Sequence, residues 1–267
     1  MTAKVIKSAR LSSPHGFSSV SDDGERLNMG FGVYSDDENV RENRRAFALS
    51  CGFAPPYAAG EKIFTSARQI HSDKIEYVTH ENACDDFECD GFVTDKKGII
   101  IGVKTADCVP ILLESDDGGV VAAVHAGWRG AALGIAALAV DKMEALGAER
   151  GKIRAAVGPA VDFESCEVGD DFAAVLADMM RRSRSRAVAE NADDLARRVT
   201  KICGGRLHAD IPALNREILA LAGVRPENID ALGISTYKES GRFFSHRKFA
   251  GKPHGVMAAV IAVCANG

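Results

Sequence analysis

The residues best suited to chemistry sit in two short runs, Lys104-Thr105-Ala106-Asp107-Cys108-Val109-Pro110 and Val124-His125-Ala126-Gly127-Trp128-Arg129-Gly130, with Gln69-Ile70-His71 upstream. Cys108 falls at the junction of two apolar runs that read as strands, and His125 closes a third where a helix begins. His71 ends a further strand-like run. One thiol and two imidazoles at strand ends can converge in a folded sheet. A thiolate and two neutral imidazoles are the donor set that zinc prefers, and three protein ligands leave one position open. Water in such a position has its pKa lowered to about 7. The separations of 37 and 17 residues are not those of a zinc finger.

Plainer readings stand beside this one. A cysteine among apolar residues is more often a small buried hydrophobe. His71 and His125 would serve equally as core histidines bonded to backbone carbonyls. A sharper rival is a thiol nucleophile, with Cys108 activated by His125 and oriented by an acid. Asp107 is its neighbour, and adjacent side chains on a strand point to opposite faces. Asp107 therefore shares a pocket with Cys108 only if the strand has ended, where it would shuttle a proton or orient a turn.

The elements that must position these groups alternate in period. The opening, residues 1–34, reads as short strands and turns, and 35–38 places N-cap residues and acids before a helix that Gly52 ends. Strand-like runs follow at 62–67, 75–79, 91–94, 98–103, 109–114 and 120–126. They are β-branched and continuously apolar, as in strands covered on both faces. Residues 127–146 take a helical period with apolar positions on most sides, so that helix should be buried. A strand at 152–158, a helix near 170–182 and an amphipathic helix at 211–223 come next, and strands at 229–236 and 254–263 close the chain. The polar stretch 181–199 reads as a surface helix pair or a mobile loop. The whole is an α/β chain, best read as one domain over 1–267.

Composition bounds the class. The chain has 267 residues, 33 basic and 37 acidic, for a formal net charge of -4. Nucleic-acid binders usually show strong basic excess, so no nucleic-acid partner is expected. The start lacks an apolar signal segment, and the longest apolar run is far short of the ~20 residues that span a bilayer. Neither secretion nor a membrane partner is expected. Seven scattered cysteines suit a reducing, cytoplasmic compartment better than a disulfide framework. The dinucleotide G-x-G-x-x-G, the phosphate loop G-x-x-x-x-G-K-[ST], G-x-S-x-G, H-E-x-x-H and the H-x-E…P-C-x-x-C of base deaminases are all missing.

The motifs form an ordered series along nearly the whole chain: His15-Gly16-Phe17, Leu27-Asn28-Met29-Gly30, Glu42-Asn43-Arg44, Gln69-Ile70-His71, Asp90-Gly91-Phe92-Val93-Thr94, Ala106-Asp107-Cys108, His125 to Gly130, Gly158-Pro159, Glu167-Val168-Gly169 and Arg242-Phe243-Phe244-Ser245. This series resembles the YfiH family, variously called laccase-like polyphenol oxidases or peptidoglycan editing factors. The resemblance implies mixed β-sheets flanked by helices in a single layered domain, and one zinc held by His71, Cys108 and His125. It further implies phosphorolysis of adenosine, inosine, guanosine or methylthioadenosine and hydrolytic deamination of adenosine. The chain departs from the family at Ser235-Thr236, where a Cys-Thr pair is common, and at His246-Arg247-Lys248, where Tyr-Arg-Arg is common.

Phosphorolysis needs phosphate beside C1′ of the ribose. Arg44, Arg129 and Arg247 are candidate clamps, since guanidinium binds phosphate in bidentate fashion; salt bridging is their plainer role. Asn28 and Gln69 are candidate ligand contacts or turn holders, and Trp128 a candidate base-stacking ring or a packing residue. True multicopper laccase chemistry is disfavoured, because seven histidines include no H-x-H pair. Copper would nonetheless compete for the same three ligands. Two other functions stay open: a cysteine hydrolase acting on a peptidoglycan-related amide or peptide through Cys108 and His125, and a non-catalytic zinc-dependent nucleoside binder. The acidic segment 81–90 reads as a solvated loop, and the basic run 181–186 as a solvated face.

Overall fold

Alternation along the strands decides how the layers stack. The computed structural model describes residues 2–32, 36–250 and 252–264. An antiparallel sheet runs in the order Ala3–Ile6, His15–Ser21, Met257–Ala262, Ile100–Thr105. A six-stranded mixed sheet runs Ile229–Ala231, Arg154–Val157, Val109–Glu114, Val121–Ala126, Gly91–Thr94, Ile75–Tyr77. Its two outer pairs are parallel and its inner ones antiparallel.

Ile101 and Val103 of the first sheet pack into the space between the sheets, against Leu112, Val121 and Ala123 of the second. Ile100 faces the other way and meets Phe47, Ala48 and Phe64 beneath the helix Asp37–Cys51. On the far side of the second sheet, Ile111, Leu113 and Val124 lie against Val140, Leu176, Leu214 and Ile218 of three helices. Those helices are Ile135–Ala145, Phe172–Arg181 and Ile211–Leu221. The mixed α/β layering expected from the sequence is the observed one, ordered helix, sheet, sheet, helices. Val109–Glu114 and Val121–Ala126 are buried at every position, as continuously apolar strands between two layers must be.

Several elements differ from their sequence reading. After a 3-10 turn Gly60–Lys62, residues 62–67 give an isolated parallel bridge from Thr65 to Ile101 and reach a named strand only at Ala67–Arg68. The buried helix expected over 127–146 is two helices, Trp128–Ala132 and Ile135–Ala145, because Gly134 takes φ +79° between them. The strand expected at 229–236 stops at Ala231, and Gly233 at φ +65° turns the chain so that only Ser235 bridges again. The stretch 181–199 is helical, Arg186–Glu190 and then Ala192–Val199, with Leu195, Ala196 and Val199 buried. Its arginines are paired as a solvated face requires: Arg181 with Asp193, Arg184 with Asp73 and Arg186 with Glu190. A hairpin of Thr200–Cys203 and Arg206–Ala209 had no sequence reading, although its Gly204-Gly205 turn was a legible signal. Asp36 caps the first helix by accepting from the Glu38 amide, while Met1, Tyr34 and Ser35 lie outside the described residues.

Arg44 corrects one site expectation. It is fully buried, and its guanidinium lies 4.2 Å from the ring centres of both Phe31 and Phe64. Nε and one terminal nitrogen donate to the Met29 carbonyl at 3.0 and 2.6 Å, and the other donates to the Lys62 carbonyl at 3.0 Å. A guanidinium spent on two carbonyls inside the core is a strut for the 29–31 turn, not a phosphate clamp. Arg44→Lys keeps the charge but loses the fork and the ring stacking. Urea unfolding should show it destabilised by about 2 kcal/mol; an unchanged midpoint would remove the strut role.

Candidate metal centre

The strand Ile100–Thr105 ends one residue before Ala106, and Asp107 then adopts φ +91° before Val109–Glu114 begins in the other sheet. Asp107 and Cys108 therefore occupy the crossing between sheets, where strand alternation no longer separates them. Asp107 lines the cavity, but both its oxygens are engaged. One accepts from Thr236 Oγ1 at 2.6 Å and the other from the Arg247 amide at 2.7 Å. It ties three segments together around Cys108.

His125 is placed by the strand Val121–Ala126, whose alternation sends Val124 and Ala126 to the helical side and His125 to the other. There its Nδ1 meets Asp90 Oδ1 at 2.9 Å, which leaves Nε2 to face Cys108. Asp90 is fully buried and collects a further set of donors. The amides of Ile70, His71 and Ser72 reach it at 3.3, 3.0 and 2.6 Å, and the Ser72 hydroxyl at 2.7 Å. The same carboxylate thus orients His125 and pins the turn that holds His71 at φ +58°. The Asp90 end of segment 81–90 is core, which corrects the solvated-loop expectation there: a carboxylate with five donors needs no water.

His71 Nε2 lies 3.8 Å from Cys108 Sγ, and one ligand atom from each of His71, Cys108 and His125 falls within 4.8 Å of the others. Zinc bonds of about 2.3 Å to sulfur and 2.0 Å to nitrogen put tetrahedral S and N ligands about 3.5 Å apart, so the donors fit a metal ion with little movement. Gly127 makes room for them. A Cβ there would stand 2.8 Å from the His71 ring and 3.1 Å from Cys108 Sγ. Burial pushes the Cys108 thiol up, but the two histidines beside it more than offset this and hold it at about 6. Burial likewise disfavours a charged His125, yet Asp90 and Cys108 raise it to about 9. Burial works against the Asp90 carboxylate too, and His125 and Ser72 still draw it down to about 2.

The triad opens into a cavity of about 810 Å³. Trp128, Val168, Phe172 and Ile211 line its helical side, and Gly30, Phe31, Lys104 and Val256 line the side of the first sheet. Trp128 and Phe172 meet edge to face at 5.2 Å. Of the expected substrate contacts, Gln69 and Arg247 line the cavity. The Gln69 amide is held in a two-way bond with the Lys104 backbone, 2.7 Å each way, and Arg247 donates to the Glu167 carbonyl at 2.9 Å. Asn28 stands outside the wall and accepts from the Gly30 and Val256 amides. Arg129 is exposed, with its guanidinium 4.4 Å from the centre of the Trp128 ring, and is not part of the wall. Asp90, Phe31, Phe172 and the bonded pair His246–His254 are the features that the sequence reading missed. The place of Asp90 directly before the apolar run 91–94, within the motif Asp90-Gly91-Phe92-Val93-Thr94, was the available signal for it.

The crossing between the sheets of this α/β chain gathers a thiol and two imidazoles, a donor group that could hold a metal ion. The chain belongs to the family described as multi-copper polyphenol oxidoreductase laccase, whose model matches residues 12–264, and which includes the YfiH proteins. It is 33% identical over 263 residues to a purine nucleoside phosphorylase of Deinococcus radiodurans, covering 97% of this chain and 92% of that one. It is 34% identical over 189 residues to adenosine deaminase RL5 from an unknown prokaryotic organism, 68% of each chain. The solved structure of Bacillus licheniformis hypothetical protein YfiH superposes with a TM-score of 0.77 at 26% identity, covering 94% of this chain and 92% of that one. Among the described residues one group of three donors is gathered, enough for a single ion rather than several coppers.

Asp90→Asn should weaken metal binding by about 10- to 100-fold, as loss of an orienting carboxylate typically does. Protons compete with the metal at His125 and Cys108. In the metal-free protein the stabilisation from protonated His125 is complete below about 6.5 and disappears as pH rises through about 9. Apparent metal affinity, measured by chelator competition, should therefore climb between pH 6 and 9. A flat profile would show that neither group carries the proton that the metal displaces.

Proposed function

We propose that the chain is a zinc-dependent purine nucleoside enzyme, which phosphorolyses adenosine, inosine, guanosine or methylthioadenosine and deaminates adenosine hydrolytically. The observation that carries this reading is the triad His71, Cys108, His125, locked by Asp90 and opening into a cavity large enough for a nucleoside. Relatives named for both reactions support the substrate class. His71, Cys108 and His125 would hold a zinc ion, which would supply Lewis-acid chemistry there. The two histidines would offer it ring nitrogens, and Cys108 its sulfur.

The Trp128–Phe172 pair offers an apolar wall for the purine. Asp107 holds the 245–249 helical turn against the site through the Arg247 amide and so positions the wall opposite Cys108. Copper would occupy the same donors, and any oxidase activity is assigned to that substitution. No helix among the described residues is long and apolar enough to cross a membrane.

A thiol held at about 6 beside His125 is also the state that a cysteine hydrolase needs, which keeps that second reading worth testing. Metal-analysed protein incubated with adenosine, with and without phosphate, separates the two. Adenine and ribose 1-phosphate only with phosphate, and inosine without it, are the expected products. Both should fall at least about 100-fold in His71→Ala or after chelation. Full activity of metal-free protein would transfer the chemistry to Cys108 as nucleophile, and no nucleoside turnover by zinc-loaded protein would end the nucleoside reading.

A further inference from the structure

Among the described residues, Lys104 in the cavity wall is a cation with neither an ion-pair nor a hydrogen-bond partner for its charged group. Lys104 is the fifth residue of the strand Ile100–Thr105 and shares a face with Ile100 and Gly102. On that face lies Phe64, which would be 2.9 Å from a Cβ at Gly102, and against Phe64 lies the guanidinium of Arg44. Gln69 grips both the amide and the carbonyl of Lys104, so the backbone that carries its side chain is fixed. Among the described residues the Lys104 ammonium makes no hydrogen bond and no ion pair. Burial pushes it down to about 8, and the like charge of Arg44 adds to that effect.

The other charged side chains of the wall each have a hydrogen-bond partner. Arg68 pairs with Glu88, and Arg247 sits on the Glu167 carbonyl. Asp107 is taken by Thr236 and Arg247, and Glu167 by Arg206. Leaving an ammonium partly desolvated and unpaired costs free energy that a bound anion recovers. A second positive charge behind it favours a dianion over a monoanion. Trp128 and Phe172 stand across the crossing, on the helical side of the second sheet, so a base there leaves the Lys104 side for the other reactant.

We infer that Lys104 binds the phosphate used in phosphorolysis, in a subsite between Phe31 and the triad. This rests on the nucleoside reading for its reaction, but not for the anion site itself. Inorganic phosphate is titrated into the full chain, zinc-loaded and chelator-treated, and followed by calorimetry and by Tm. The wild type should bind saturably in both forms, Lys104→Met should weaken binding at least about tenfold, and Lys104→Arg should keep it. Phosphate-free Lys104→Met should melt no lower than the wild type, whereas loss of a merely structural lysine would lower Tm. In turnover, KM for phosphate should rise about tenfold in Lys104→Met while KM for the nucleoside moves far less. Equal phosphate binding by wild type and Lys104→Met, no saturable binding by either, or binding confined to the zinc-loaded form would overturn the assignment. Loss of phosphate binding in Lys104→Met, in a wild type that turns over no nucleoside, would uphold the anion site and sink only the nucleoside reading.

Discussion

A single buried carboxylate holds the site in register. Asp90 accepts from His125 Nδ1 and from three consecutive amides at 70–72. An acid with no exposed surface is tolerable only because five donors face it and one of them carries charge. The consequence reaches both histidines. His125 is fixed in ring orientation and tautomer, and His71 is fixed through its backbone. The third donor, Cys108, needs no such anchor, because the crossing from one sheet to the other places it. Three segments far apart in sequence thus meet without any of them being long or flexible.

The crossing has its own cost, which small residues and Asp107 absorb. A strand that leaves one sheet and enters another must break its alternation, and Asp107 does so in a left-handed conformation that most side chains avoid. Its carboxylate then ties Thr236 and the Arg247 amide to the same point, so the break is braced from two sides. Gly127 completes the arrangement by leaving out the one carbon that would collide with His71 and Cys108. The same break opens the cavity to both sheets, with an aromatic wall on one side and a cationic one on the other.

Arg44 and Lys104 show how residue type misleads without burial. Both lie near the same wall, and a guanidinium is the better phosphate ligand by its chemistry alone. The fold buries Arg44 between two aromatic rings and spends its donors on carbonyls. Lys104 keeps its ammonium unspent, and nothing about a lysine in an apolar strand announces this. The helix expected over 127–146 failed for a related reason. Its apolar residues are buried as their pattern implies, but Gly134 divides the segment at a point that periodicity does not register.

The sequence by itself determined the α/β class, the doubly covered strands and the three candidate donors that the fold gathers, because apolar runs, donor chemistry and an ordered motif series are properties of the chain. Only the tertiary structure decided which charged residues serve the site. Asp90 lies at the end of an acidic segment that reads as solvated, and it became the anchor of the site because Gly91–Thr94 enters the sheet beside Val121–Ala126. Asn28 and Arg44 became struts and Arg129 a surface cation. Whether a polar group faces a cavity, a carbonyl or water depends on which strands pair. Pairing is a long-range property that local pattern does not contain.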